Sequence, residues 1–201
     1  MTSIASGETE IELLRHGEPV GGRRYRGKLD DALSEKGWQQ MWHAVGERSD
    51  WQQIITSPLQ RCCSFALALG ERRGLPVAVD KRFAEVGFGS WEGRTRKELE
   101  ALVPGQVARF LQDPVGHRPP DAEKLEDFIC RVHTGLFDIL QTYAGKRVLL
   151  IAHAGVIRAV ITHVLGMQPA LMYRIYVENA GLTCIRTDRD RTFKLVSHGT
   201  C

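Results

Sequence analysis

The run Val148-Leu149-Leu150-Ile151-Ala152 is apolar at every position and is bounded by Lys146-Arg147 on one side and His153 on the other. A strand with one solvated face alternates apolar and polar residues. A strand apolar throughout is buried on both faces, and that places it inside a sheet covered by helices above and below. The rest of the chain supplies matching parts. Glu10 to Leu14 reads as a short strand, followed by a glycine-rich loop and a helix starting at Ser34, with Trp38, Met41, Trp42 and Val45 on one face. Ile54 to Thr56 reads as a second strand, Ser57-Pro58 as the N-cap and first-turn proline of a helix running through Leu69 and ending before Gly74, and Val77 to Val79 as a third strand.

Between Thr95 and Pro120 proline and charge recur without one sustained period, which suits short helices and loop lying over the sheet as a lid. Glu123 to Tyr143 carries Leu125, Phe128, Val132, Leu136, Ile139 and Leu140 at helical spacing, a core-facing stripe. Gly155 to Leu165 gives another helix, and Ile175 to Val177, Leu182 to Thr187 and Thr192 to Val196 read as closing strands. The alternation predicts a three-layer α/β/α sandwich with a mostly parallel central sheet, in one domain over residues 1–201, with a polar, loose start at 1–8.

Composition narrows the classes. Apolar residues make up 43% and charged residues 25%, ordinary for a soluble globular chain, and no stretch is apolar for long enough to cross a bilayer. Met1 to Glu10 has no signal-peptide apolar run, so a cytoplasmic setting with no membrane partner is the expectation. Five cysteines, an odd number without paired metal-ligand spacing, argue for a reduced compartment. Cys62 and Cys63 read as small buried hydrophobes. A net charge of +3 is too small to call for nucleic acid. One local cluster, Arg23, Arg24, Arg26 and Lys28 around Tyr25, is basic enough to meet an anion.

In a parallel sheet, ligands bind beyond the carboxyl ends of the strands. Three predicted strands end in reactive groups: Arg15-His16-Gly17, Ser57-Pro58-Leu59-Gln60-Arg61 and His153-Ala154-Gly155. Two imidazoles and two guanidiniums brought together would repel, so an anion belongs among them, and a phosphoryl group suits the planar donor fork of arginine. Backbone N–H groups near Ala154, at a strand-to-helix turn, would add to the positive potential. Gly17 would admit a phosphate close to the backbone, with His16 held through one ring nitrogen and free to attack through the other. A histidine nucleophile needs no metal or cofactor, but a leaving alkoxide needs a proton. Glu85 is the leading candidate for that acid, with Glu92 and Glu18 as rivals.

Leu13-Leu14-Arg15-His16-Gly17-Glu18 resembles the signature of the histidine phosphatase superfamily, the phosphoglycerate mutase-like proteins. Leu33 to Gly37, Ser57 to Cys62, Phe88 to Gly93 and His153 to Arg158 also resemble its segments, in the family's order. The resemblance implies that His16 is phosphorylated, that Arg15, Arg61 and His153 hold the phosphoryl oxygens, and that Glu85 is the proton donor. Many members carry an asparagine contact to phosphate in the loop after the histidine. Here Pro19-Val20-Gly21-Gly22 stands there, leaving a backbone N–H or an arginine of the 23–26 cluster to replace it. Within the superfamily the chain is similar to the α-ribazole-5′-phosphate phosphatases of cobalamin biosynthesis. This implies a small nucleotide-like monophosphate as partner, with Arg24 and Tyr25 offering charge and stacking. Related proteins commonly dimerise, so the resemblance also leaves a homodimer open.

Three other readings compete. A non-catalytic phosphate-binding module would be expected to lack one of Arg15, His16, Arg61, His153 or Glu85, and all five are present. A mutase-type phosphotransferase would be expected to carry extra segments closing over the site, for which 201 residues leave little room. The string Asp188-Arg189-Asp190-Arg191-Thr192 fits an aspartate-nucleophile motif in letters only, because it falls in a charged turn near the chain's end. His43, His117, His133, His163 and His198 have no partner at ligand spacing, so no metal is expected.

Overall fold

The computed structural model describes residues 8–188 and 192–200. The polar start expected at 1–8 lies outside them except for Glu8, as do positions 189–191 of the Asp188–Thr192 string. The strands are β1 (Thr9–Arg15), β2 (Gln53–Thr56), β3 (Val77–Val79), β4 (Arg147–Ala152), β5 (Leu182–Thr187) and β6 (Phe193–Thr200). They form one sheet in the order β3-β2-β4-β1-β5-β6. The first four are parallel, and β5 and β6 close the far edge antiparallel. The apolar run on β4 therefore lies between β2 and β1, and Val148 to Ala152 are all buried.

Alternation along the strands sorts side chains onto two cores. Ile11, Leu13, Val148, Leu150 and Ala152 pack with Phe128, Val132 and Leu136 of α5 (Leu125–Thr142) and Val156, Ile157 and Val160 of α6 (Ala154–Val164). Leu14, Ile54, Leu149 and Ile151 pack on the opposite face with Met41 and Val45 of α1 (Glu35–Val45) and Phe65 and Leu69 of α2 (Gln60–Arg73). Each such buried side chain contributes roughly 1.5–3 kcal/mol relative to exposure. Two cores on two faces make the expected three layers.

α1 starts where its sequence signal lies, since the Gly37 N–H donates to Ser34 Oγ at 3.0 Å. α2 does not. Ser57-Pro58 precedes it, the helix begins at Gln60 behind Leu59, and its first N–H, that of Gln60, is capped instead by Asp30 Oδ1 at 2.6 Å. The Ser57 Oγ accepts only from the Leu59 N–H at 3.3 Å, ahead of the helix, and is shared with His153 Nε2 at 2.7 Å. Residues 95–120 form α3 (Arg96–Leu102) and α4 (Gln106–Gln112), and the completely buried Phe110 pins this segment against Trp91 and Tyr173. Ile175 to Val177, expected as a strand, follows a 3-10 helix (Pro169–Arg174) and pairs with no described strand, because its carbonyls are taken by the side chains of Arg158, His198 and Arg15.

Candidate active site

The carboxyl ends of three neighbouring parallel strands are laced together by backbone bonds. The His16 N–H donates to the Ala152 carbonyl at 3.0 Å, and the Ser57 N–H donates to the Ile151 carbonyl at 3.1 Å. Residues just past β1, β2 and β4 are therefore held side by side, and the His16 and His153 rings meet edge-on with centroids 5.2 Å apart. Both are buried, His153 completely.

A main-chain carbonyl only accepts, so the 2.7 Å contact of His16 Nδ1 with the Gly17 carbonyl puts the ring proton on Nδ1 and leaves a lone pair on Nε2. His153 Nε2 lies 2.7 Å from Ser57 Oγ, a partner sequence reasoning assigned to a helix cap. Cys62 packs beside it, its Sγ donating to the Ala152 carbonyl at 3.3 Å, and burial pushes its thiol pKa up, so it stays protonated. Burial, followed by the charges of Arg15 and Arg61, holds the His16 pKa well below 6.5. Burial, Arg61 and His16 do the same for His153. The repulsion expected among four cations is thus relieved in part by two neutral imidazoles.

The two guanidiniums cannot shed their charge in this way. Arg61, 1% exposed at the start of α2, donates Nη1 to the Leu29 carbonyl at 2.7 Å and Nη2 to the Gly27 carbonyl at 3.1 Å. Arg15 donates Nη1 to the Val177 carbonyl at 2.7 Å, and desolvation lowers its pKa to about 10. The Nε of each is buried without a partner, and neither has a carboxylate within ion-pair reach among the described residues. Guanidinium groups with a buried, unbonded Nε and no paired carboxylate are costly unless an anion completes them.

Residues 11–200 match the profile of the histidine phosphatase superfamily, branch 1. The chain belongs to that superfamily. Its fold agrees with that of a histidine phosphatase. The mycobacterial glucosyl-3-phosphoglycerate phosphatase Rv2419c, solved with VO3, superposes with a TM-score of 0.86 at 28% identity, covering 96% of this chain and 99% of that one. The glucosyl-3-phosphoglycerate phosphatase of Mycolicibacterium vanbaalenii is 33% identical over 167 residues, 78% of this chain and 74% of that protein. The bifunctional protein Rv2228c of Mycobacterium tuberculosis is 34% identical over 180 residues, 87% of this chain but 49% of the relative, so the chain spans about half the length of that protein.

Of the three candidate carboxylates, Glu85, Glu92 and Glu18, one reaches the cradle. Glu85 accepts from the Gly155 N–H at 3.3 Å through Oε2 and from the Val86 N–H at 3.0 Å through Oε1, and Gly155 opens α6 beside His153 and Ala154. Glu92 is a strut instead. Its Oε1 accepts from the Lys28 and Phe88 N–H groups, both at 3.0 Å, and a Cβ on Gly27 (φ +52°) would strike that oxygen at 2.1 Å. Glu18 points outward to Lys36 at 3.0 Å.

The loop after His16 is stapled by Arg26, which is bonded to Asp31 and to the Val20 and Gly22 carbonyls. Arg24 is exposed and spent on the Gly21 and Gly93 carbonyls. Arg23 is the exposed member of the cluster whose charge bears on Arg15 and Arg158. Tyr25 is half-buried, edge-on to Phe88 and Trp91, so its ring is already engaged in packing. Gly17 answers to a nearer constraint than phosphate, because a Cβ there would sit 2.2 Å from the Gly37 carbonyl oxygen of α1. Sequence reasoning missed Ser57 as partner of His153, and it gave no role to Arg158, named only as the end of the His153–Arg158 segment that resembles the superfamily.

Proposed function

We propose that this chain hydrolyses a small phosphate monoester through a phosphohistidine at His16. The observation that carries the reading is the fixed tautomer of a neutral, buried His16, with Nε2 free in a cradle of two arginines that lack carboxylate partners. In the first step the Nε2 lone pair forms the N–P bond, the ester P–O bond breaks, and the leaving alkoxide takes a proton from Glu85. In the second, Glu85 takes a proton from water as the water oxygen bonds to phosphorus, the N–P bond breaks, and its electron pair returns to Nε2. Arg15, Arg61, His153 and the N–H of Ala154 stabilise the charge that builds on the equatorial oxygens in both steps. The water-derived proton on Glu85 restores it for the next turnover.

The substrate class is supported by the relatives' activities as phosphatases of small acidic or sugar-linked monoesters. The loop resemblance favours α-ribazole 5′-phosphate, and a stacking role for Tyr25 would require that half-buried ring to leave Phe88 and Trp91. The deciding measurement is turnover of p-nitrophenyl phosphate by wild type and His16→Ala, followed by a panel of α-ribazole 5′-phosphate, 3-phosphoglycerate, sugar phosphates and phosphopeptides. His16→Ala is expected to stay folded and lose at least about a thousandfold in kcat. Undiminished activity sinks the mechanism, and an isomeric phosphoglycerate in place of free phosphate would indicate a mutase.

A further inference from the structure

The segment that carries Glu85 has no regular structure of its own, since residues 85–88 follow the short 3-10 helix Lys81–Phe83 without helix or strand. An acid on such a loop needs its main chain fixed from outside. Arg131 of α5 does this with all five N–H donors of its guanidinium. Its Nη1 donates to the Arg82 carbonyl at 2.6 Å and to the Ala84 carbonyl at 2.8 Å, and its Nη2 donates to the Glu85 carbonyl at 3.1 Å. The remaining donors, on Nε and Nη2, go to the two carboxylate oxygens of Glu123 at 2.7 and 2.8 Å. Glu123 then holds the far side of the acid. Its Oε2 accepts from the Gly87 N–H at 3.0 Å, and its own N–H donates to the Gly87 carbonyl at 3.1 Å. The main chain before and after Glu85 is tied to one side-chain pair.

The clamp is itself held in place. The Arg131 guanidinium lies 4.7 Å from the centre of the buried Phe128 ring, one turn earlier on α5. One turn later on the same face, Gly135 admits Phe83, whose ring a Cβ there would meet at 2.7 Å. α5 therefore presses on the segment at successive turns. The Glu85 carboxylate, by contrast, is bonded only to the Val86 and Gly155 N–H groups, so where it reaches depends on where the main chain is held. A displacement of about 1 Å in a reacting group can cost about a hundredfold in rate. None of the five donors goes to Arg15, Arg61 or His153, so the clamp can be broken without touching the groups that hold the phosphoryl oxygens.

We propose that Arg131 is a positioning residue for proton transfer: it fixes the main chain from which Glu85 reaches the leaving-group oxygen and takes no part in holding the phosphoryl group. The proposal rests on the assignment of Glu85 as the acid above. It is tested by kcat/KM, which reports transfer to His16, with p-nitrophenyl phosphate and with glycerol 2-phosphate, an alkyl ester whose leaving group needs a proton. Inhibition by inorganic phosphate reports the cradle. Arg131→Gln is expected to lose roughly 10- to 100-fold more with the alkyl ester than with the nitrophenyl ester, and to bind phosphate as wild type does. Arg131→Lys, with three donors in place of five, should recover part of that loss. Asp138→Asn frees Arg82 of the same segment from α5 without reaching the acid, and should leave both substrates unaffected. Equal losses with the two esters overturn the proposal, as does a phosphate affinity that weakens in step with kcat/KM. The same bias in Asp138→Asn overturns it too, because any loosening against α5 would then suffice. If Arg131→Gln does not fold, an absence of bias in Arg131→Lys is equally decisive. Glu85→Gln separates the two claims. If it shows no leaving-group bias, or wild type turns over neither ester, the reading of the site falls and the proposal with it. A bias in Glu85→Gln without one in Arg131→Gln overturns the proposal alone.

Discussion

Glu85 stands out among the acidic residues because its carboxylate is held by backbone N–H groups of two different segments, Val86 and Gly155, and by no arginine fork. Nearby carboxylates are committed elsewhere, Glu123 to Arg131 at 2.7 Å and Glu92 to the Lys28 and Phe88 N–H groups. Glu85→Gln keeps the shape and removes the proton. Its kcat should fall about 10²- to 10⁴-fold with alkyl phosphates and much less with p-nitrophenyl phosphate, whose leaving group needs little protonation. Equal losses in a leaving-group series would shift the acid's role to another residue.

At the scale of elements, α6 brings the site together, because its first turn carries His153, Ala154 and Gly155 and its second carries Arg158. Gly155 is the position where helix and acid touch. Alanine there would favour the helix by about 1 kcal/mol. Its Cβ, however, would meet Glu85 Oε1 at 2.2 Å and Val86 Cγ1 at 3.3 Å, so the carboxylate must move. Gly155→Ala should therefore hold or raise the thermal midpoint while kcat with alkyl phosphates falls roughly tenfold to a hundredfold. Unchanged kcat would mean that Glu85 adjusts freely. The sequence signals for elements failed at two places, and both failures trace to the site. Ser57-Pro58 has the letters of a helix start, but the Ser57 hydroxyl is used by His153. Ile175 to Val177 has the letters of a strand, but its carbonyls serve the side chains of Arg158, His198 and Arg15.

For the molecule as a whole, neutral histidines tie stability to pH. Burial lowers the pKa of His16, His153, His133 and His163 below 6.5, and the His133 and His163 rings pack against each other between α5 and α6 with centroids 4.4 Å apart. In the unfolded chain these groups take up protons as the pH falls through 6.5, whereas in the fold they resist until lower pH. The unfolded state then binds more protons, and the stability present above 6.5 is lost on acidification. Thermal midpoints should fall steadily from neutral pH toward about pH 5, before carboxylates begin to titrate. A midpoint that is flat or rises over that window would mean that the imidazoles are charged in the fold.

The sequence alone determined the layers and, through the resemblance of its motifs, named the residues of the cradle. Hydrophobic period is a local property, and it is enough to mark β4 as a doubly buried strand and α5 as a core-facing helix, while the reactive strand ends and the superfamily resemblance together pointed to Arg15, His16, Arg61 and His153. The tertiary structure alone decided the chemical state and the assignment of each group. The neutrality of both imidazoles, the withdrawal of Glu92 into a strut beneath Lys28 and the meeting of Glu85 with Gly155 all depend on contacts between residues far apart in the chain. Burial and hydrogen-bond direction are set by what packs against a group, and no local pattern of letters carries that information.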